Sequence, residues 1–171
     1  AVQAVAVLTE PRLRPLLGEP VAAAAPPLGC RLVDHVACAV ASFTPTTQHA
    51  DDLAAIQFGS GSTGAPKPVA LTHANIIGNA RSIISQLPGN LEDHSGFSWL
   101  PLYHDMGLVG CLVVAVLAPG SLTLLAPERF VAKPQLWLEG LARSGATISV
   151  APNFAYALAV ERTPKEVVDR L

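Results

Sequence analysis

Apolar positions along this chain repeat with two different periods, and the switches between them lay out its elements. Between Thr72 and Leu87 they fall at Ile76, Ile77, Ala80, Ile83, Ile84 and Leu87, the helical spacing that gathers apolar side chains on one face. Thr72 is placed to cap this helix and Pro88-Gly89 to stop it. Residues 106–118 predict a buried helix, 134–144 a helix with Gly145 as its C-cap glycine, and 154–161 another. Shorter apolar runs bounded by turn residues predict strands over 1–8, 32–40, 53–58, 97–100, 122–125 and 146–150. Residues 12–17 read as a short helix. The Ala/Pro-rich stretch 19–29 reads as a loop, 44–52 as a polar surface connection, and 59–68 as a glycine-rich loop. Strands alternating with helices predict an α/β fold of βαβ units, with a largely parallel sheet covered by helices.

Composition narrows the functional classes. Half of the 171 residues are hydrophobic and 14% are charged, against about 25% charged in an average globular chain. This excludes a disordered chain and implies more buried surface than a free-standing domain of this size would have. The length fits no more than one complete domain. The net charge is −2 and the 11 Lys and Arg residues are spread thinly, so there is no basic stripe for nucleic-acid binding. Cys30, Cys38 and Cys111 lack CxxC spacing, which argues against a disulfide framework or metal site and for a reducing, cytoplasmic setting. No apolar run approaches the ~20 residues of a transmembrane segment. Residues 1–8 have no charged stretch before them and are not read as a signal peptide. Thr163-Pro164-Lys165-Glu166 has the form of a capping box with proline at the first helical position. A helix announced this well is expected to run past Leu171. With the low charge and no initiator Met, the chain is expected to be a segment of a longer protein, cut at its C-terminus and also at its N-terminus.

The strongest chemical signal is Gly59-Ser60-Gly61-Ser62-Thr63-Gly64-Ala65-Pro66-Lys67. Glycines let several backbone N–H groups converge on one anion. Ser60, Ser62 and Thr63 add hydroxyl donors and Lys67 a positive charge, a combination suited to a polyphosphate. Gly59, Gly61 and Gly64 formally match G-x-G-x-x-G, but the dinucleotide version needs a helix opening at the loop and an acidic residue ~20 positions on. Pro66 and Pro68 block that helix, and no Asp or Glu occurs between Asp52 and Glu92. The Walker pattern needs Lys directly after its second Gly and then Ser or Thr, whereas Ala65-Pro66 intervene here.

The octapeptide from Ser60 to Lys67 resembles the phosphate loop of the acyl-adenylate-forming superfamily. The stretch from Ser98 to Gly110 is similar to that superfamily's second core motif. Its Tyr103-His104-Asp105-Met106-Gly107-Leu108 form resembles that of fatty acyl-AMP ligases and long-chain acyl-CoA synthetases. Residues 146–149, followed by Ala151-Pro152-Asn153-Phe154-Ala155-Tyr156, resemble the strand and helix start lining the acyl pocket of those enzymes. The likeness runs from Asp51 to Arg162. It implies part of the large N-terminal domain of an adenylate-forming enzyme, with the remainder of that adenylation domain as a partner. The implied reaction joins a fatty acid to ATP, giving acyl-adenylate and pyrophosphate, for transfer to the phosphopantetheine of an acyl carrier protein. Coenzyme A is the alternative acceptor. ATP and Mg2+ are the implied cofactors, the magnesium-binding Glu of the family lying past Leu171.

The resemblance also implies roles. Ser60, Gly61, Ser62, Thr63, Gly64 and Lys67 hold the nucleotide phosphates, and Thr63, Lys67 and His104 form the catalytic set. His104, Asp105, Asn153, Phe154 and Tyr156 border the acid. By position alone His104 is a hydrogen-bonded loop histidine, and Asp105 either caps the following helix or orients His104. Asn153 and Tyr156 follow a predicted buried strand, at the end where open α/β sheets place ligands. Trp99 and Trp137 read as core, His73 as structural and Cys111 as an inert helix residue. The chain departs from the family at Gly59, where Thr or Ser is usual, and at Pro68, where Gly is usual. These departures keep open a non-catalytic nucleotide-binding remnant. The isolated 171 residues are expected to be catalytically incompetent.

Overall fold

The computed structural model describes residues 3–35, 44–59 and 66–170, and the chain divides into two compact units, Ala1–Thr47 and Gln48–Leu171. In the first unit β1 (Val7–Thr9) pairs in parallel with β2 (Cys30–Leu32). A 3-10 turn over Arg14–Leu17 leads into α1 (Gly18–Ala24). This helix occupies a stretch expected to be loop. Pro20 permits it because a first-turn residue has no intrahelical acceptor for its N–H. The strand expected over 1–8 is limited to Val7–Thr9. The one expected over 32–40 gives way to a 3-10 turn at Val33–His35, and residues 36–40 lie outside the described residues.

The second unit opens with an antiparallel hairpin of β3 (Leu53–Gly59) and β4 (Lys67–Thr72). The start of β4 falls in the stretch 59–68 expected by its composition to be loop. Among the described residues β4 pairs with β3 alone, and an edge strand tolerates a proline without a ladder N–H. Thr72 ends the strand and caps α2 (His73–Ile84) reciprocally. Asn75 N–H donates to Thr72 Oγ1 at 3.2 Å, and Thr72 N–H donates to Asn75 Oδ1 at 3.1 Å.

The chain then builds a parallel layer. β5 (Ser95–Ser98) pairs with β6 (Ser121–Leu124), and on its other side Gly96 bridges Ile148, also in parallel. The strand expected over 146–150 is reduced to that bridge. Between β5 and β6 runs a helical segment, α3, which is α-helical over Asp105–Gly107, π-helical over Leu108–Val113 and α-helical again over Val114–Leu117. After β6 come α4 (Pro127–Ala132), α5 (Gln135–Ser144), α6 (Asn153–Arg162) and α7 (Lys165–Val168). Sequence reading did not foresee α4, which starts with Pro127 at its first helical position. Gly145 caps α5 at φ 61°. The capping box expected before α7 does not form: α7 has no side-chain cap, and the Thr163 hydroxyl is buried without a partner.

The two faces of the parallel layer carry different helices. On one face Phe97 and Trp99 pack with Phe130 of α4, Trp137 of α5 and Ala155 and Ala159 of α6. Trp99 and Phe130 stack with ring centroids 3.8 Å apart, and Trp137 meets both edge-on. Trp137 Nε1–H donates to Ser149 Oγ at 2.8 Å, which donates to the Phe97 carbonyl at 2.7 Å. The expected core roles of Trp99 and Trp137 therefore hold. On the other face, α2 and α3 lie over Gly96 and Leu122, and Cys111 is buried on α3.

Candidate active site

Parallel strands bring their C-terminal ends to one edge, so the connections leaving that edge are neighbours. Here they are the 99–104 loop after β5 and the 149–152 segment after the Ile148 bridge, leading into α3 and α6. This is the edge at which open α/β sheets bind ligands. It carries His104 and Asp105 on one connection and Asn153 at the start of α6 on the other.

The His104 turn is held by its own backbone. His104 N–H donates to the Pro101 carbonyl at 3.1 Å, and Leu108 N–H donates to the His104 carbonyl at 2.8 Å. Gly107 closes the turn from behind. A Cβ on it would lie 2.2 Å from the Pro101 oxygen and 3.2 Å from the Leu100 oxygen, so only glycine fits without movement. His104 Nδ1 sits 2.7 Å from Asp105 Oδ1. The Met106 N–H lies 2.7 Å from the same carboxylate oxygen and 3.3 Å from Nδ1. A bare Nδ1 would set two acceptors face to face at 2.7 Å. The arrangement favours a proton on Nδ1, donated to Asp105, and the Met106 N–H faces both groups at the start of α3, whose N-cap residue is His104. Asp105 thus holds one edge of the imidazole, which is largely exposed.

Lys67 begins β4 opposite Gly59, at the mouth of the hairpin. The intervening Ser60, Gly61, Ser62, Thr63 and Gly64 lie outside the described residues. The hairpin meets the His104 turn through a residue that sequence reading missed: Gln57 Nε2–H donates to the Tyr103 carbonyl at 3.3 Å. Its only signal in the sequence is an amide in the middle of an otherwise apolar strand, Leu-Ala-Ala-Ile-Gln-Phe. Gly107 was likewise noted only as part of a motif.

Phe154 and Tyr156 are partly exposed on α6 and lean on the core aromatics. Phe154 meets Trp99 edge-on at 6.3 Å, and Tyr156 lies 5.3 Å from Trp137. A cavity lies elsewhere, on the opposite face of the layer. It has a volume of about 130 Å3 and is walled by Ile83 of α2, Leu87 after that helix, Gly110, Cys111 and Ala115 of α3, Leu122 of β6 and Val150. Its walls are largely apolar, with His94, Ser121 and Ser149 also among them. Asn153, Phe154 and Tyr156 do not line it. Among the described residues no three His, Cys, Asp or Glu side chains gather to hold a metal ion. No helix among them is long and apolar enough to cross a membrane.

Residues 3–170 match the family described as AMP-binding enzyme. The chain belongs to that family. It is 40% identical over 136 residues to the long-chain-fatty-acid–AMP ligase FadD32 of Mycolicibacterium smegmatis, covering 76% of this chain and 21% of that protein. It is 40% identical over 123 residues to the medium-chain-fatty-acid–[acyl-carrier-protein] ligase TtuA of Teredinibacter turnerae, covering 72% and 19%. Its fold superposes with a TM-score of 0.84 on the fatty acyl-adenylate ligase of L. pneumophila solved in complex with acyl adenylate and pyrophosphate. That alignment has 30% identity and covers 98% of this chain and 29% of the other. The chain thus spans about a fifth of the length of these two relatives.

Proposed function

We propose that this AMP-binding chain supplies the phosphate-loop and acid-facing half of an ATP-dependent fatty acid activation site, within the large N-terminal domain of such an enzyme. The carboxylate oxygen attacks the α-phosphorus of ATP, the bond to the β-phosphate oxygen breaks, and acyl-adenylate and pyrophosphate result. Such a reaction depends on positioning and on stabilising charge as it develops. Ser60, Ser62, Thr63 and Lys67, with the Gly61 and Gly64 backbone, hold the departing β- and γ-phosphates. His104 stands beside the attacking carboxylate and the α-phosphate, held by Asp105, and Asn153, Phe154 and Tyr156 border the acid. The observation that carries this reading is the Gln57–Tyr103 hydrogen bond, 3.3 Å long, which joins the hairpin bearing Lys67 to the turn bearing His104.

The likeness to the long-chain-fatty-acid–AMP ligase FadD32 supports a fatty acid as the acid activated. TtuA, by name a carrier-protein ligase, supports a carrier-protein phosphopantetheine as acceptor, with coenzyme A the second reading. Magnesium is expected to accompany ATP, with ligands outside the described residues. A cytoplasmic location accords with the thiols Cys30 and Cys111, both free.

Pyrophosphate release by the full-length protein, measured across acids of increasing chain length, tests the substrate class. We expect release to rise from acetate to medium- and long-chain acids. Equal release with acetate and long-chain acids would refute the fatty acid assignment.

A further inference from the structure

We infer that Gln57 is a positioning residue that fixes His104 relative to the hairpin strand that carries Lys67; this rests on the adenylation reading above. Gln57 is half-buried, and its amide reaches a carbonyl 46 residues away in sequence. That carbonyl belongs to Tyr103, the residue directly before His104. The Tyr103 side chain is 85% exposed, so it is the Tyr103 backbone, and not its ring, that meets the hairpin here.

The other end of the link is equally local. β3 continues from Gln57 through Phe58 to Gly59, the last described residue before the loop. In the hairpin Gln57 stands opposite Val69, and Gly59 opposite Lys67. Directly opposed residues of an antiparallel pair share a face, so Lys67 lies on the face from which Gln57 reaches Tyr103. A two-stranded hairpin is marginal alone. Much of its exterior is exposed, including Leu53, Phe58 and Val69. A directional side-chain amide sets both distance and angle where a methyl contact would not. Without the bond the two halves of the site keep their own folds but lose their mutual register. In-line transfer is sensitive to such a shift, since about 1 Å of misplacement costs on the order of a hundredfold in rate.

The test uses the full-length protein with Gln57→Met, which keeps length and apolar bulk but removes the donor. Fatty-acid-dependent ATP–pyrophosphate exchange is expected to lose about tenfold or more in kcat, with KM for ATP unchanged. On a His104→Ala background the same substitution is expected to add no further loss, because two residues acting through one another are not additive. Independently of turnover, the His104 imidazole resonance is expected to shift in Gln57→Met while that of His73 stays in place. Losses that multiply in the double variant, or a His104 resonance that does not move, overturn the inference. No exchange by the wild type with any carboxylate overturns the adenylation reading instead, and the imidazole comparison then decides on Gln57 alone.

Discussion

Replacing Gly107 with alanine should damage the site and the fold together, and the size of the effect follows from the geometry. The new Cβ would stand 2.2 Å from the Pro101 oxygen and 2.9 Å from the Pro101 carbon, whereas carbon–oxygen contacts settle at about 3.3–3.6 Å. The helix start and the Pro101 peptide must separate by roughly 1 Å to restore that spacing. Both groups are backbone, so no side-chain rotation relieves the clash. The Pro101 oxygen is also the acceptor for His104 N–H at 3.1 Å, and that bond contributes about 1 kcal/mol. Overpacking of this kind costs about 1–3 kcal/mol, offset by up to ~1 kcal/mol from alanine's better helix propensity. We expect a net loss of about 1–3 kcal/mol, close to the range of overpacking alone once the bond is counted. Exchange activity should fall on the order of a hundredfold, as His104 moves with the turn. Gly110→Ala is the internal control, because the nearest atom to its Cβ is Met106 Cγ at 4.0 Å. Denaturant unfolding and exchange kinetics on the full-length protein measure both effects. A Gly107→Ala protein as stable and as active as wild type would refute the reasoning.

Other substitutions probe the supporting fold. Gly140→Ala in α5 would bring a Cβ within 2.3 Å of Phe97 Cζ, a ring locked in the core. A loss of about 1–3 kcal/mol is expected in denaturant unfolding, despite the gain in helix propensity. Thr72→Ala removes the acceptor for Asn75 N–H and should cost about 1 kcal/mol by the same measurement. Trp137→Phe keeps most of the packing but drops the 2.8 Å bond to Ser149. It should cost about 1 kcal/mol, plus the smaller ring's lost contacts, in thermal or denaturant unfolding.

What could be read from the sequence was what local chemistry decides. α2 was legible because its apolar spacing and its Thr72 cap agree, although it ends at Ile84, before the expected Pro88-Gly89 stop. The helix after His104 was legible as apolar and continuous, but not its π-helical middle, since side-chain pattern does not report a backbone bond shifted by one residue. The start of β4 was hidden because the stretch 59–68 reads as loop by its composition, and whether a proline is tolerated depends on which strand edge is paired. α1 was hidden for a related reason: Pro20 breaks a helix interior but not a first turn. The strand expected over 146–150 failed in the opposite sense, since its residues suit a strand but Ile148 alone bridges Gly96.

The site divides in the same way. The glycine-rich loop and the His104 motif are contiguous in sequence and could be recognised as such. The 3.3 Å Gln57–Tyr103 bond that joins β3 to the His104 turn spans 46 residues, and no periodicity foretells it. The contact of Gly107 with Pro101 depends on how closely a helix start packs on the preceding turn, which residue types alone do not fix.

The most direct test of the account is fatty-acid-dependent ATP–pyrophosphate exchange by the full-length protein, wild type against Lys67→Ala. Exchange that appears with long-chain acids and is lost in Lys67→Ala is the predicted result. No exchange with any carboxylate by a folded protein that still binds ATP would contradict it, as would undiminished exchange in Lys67→Ala.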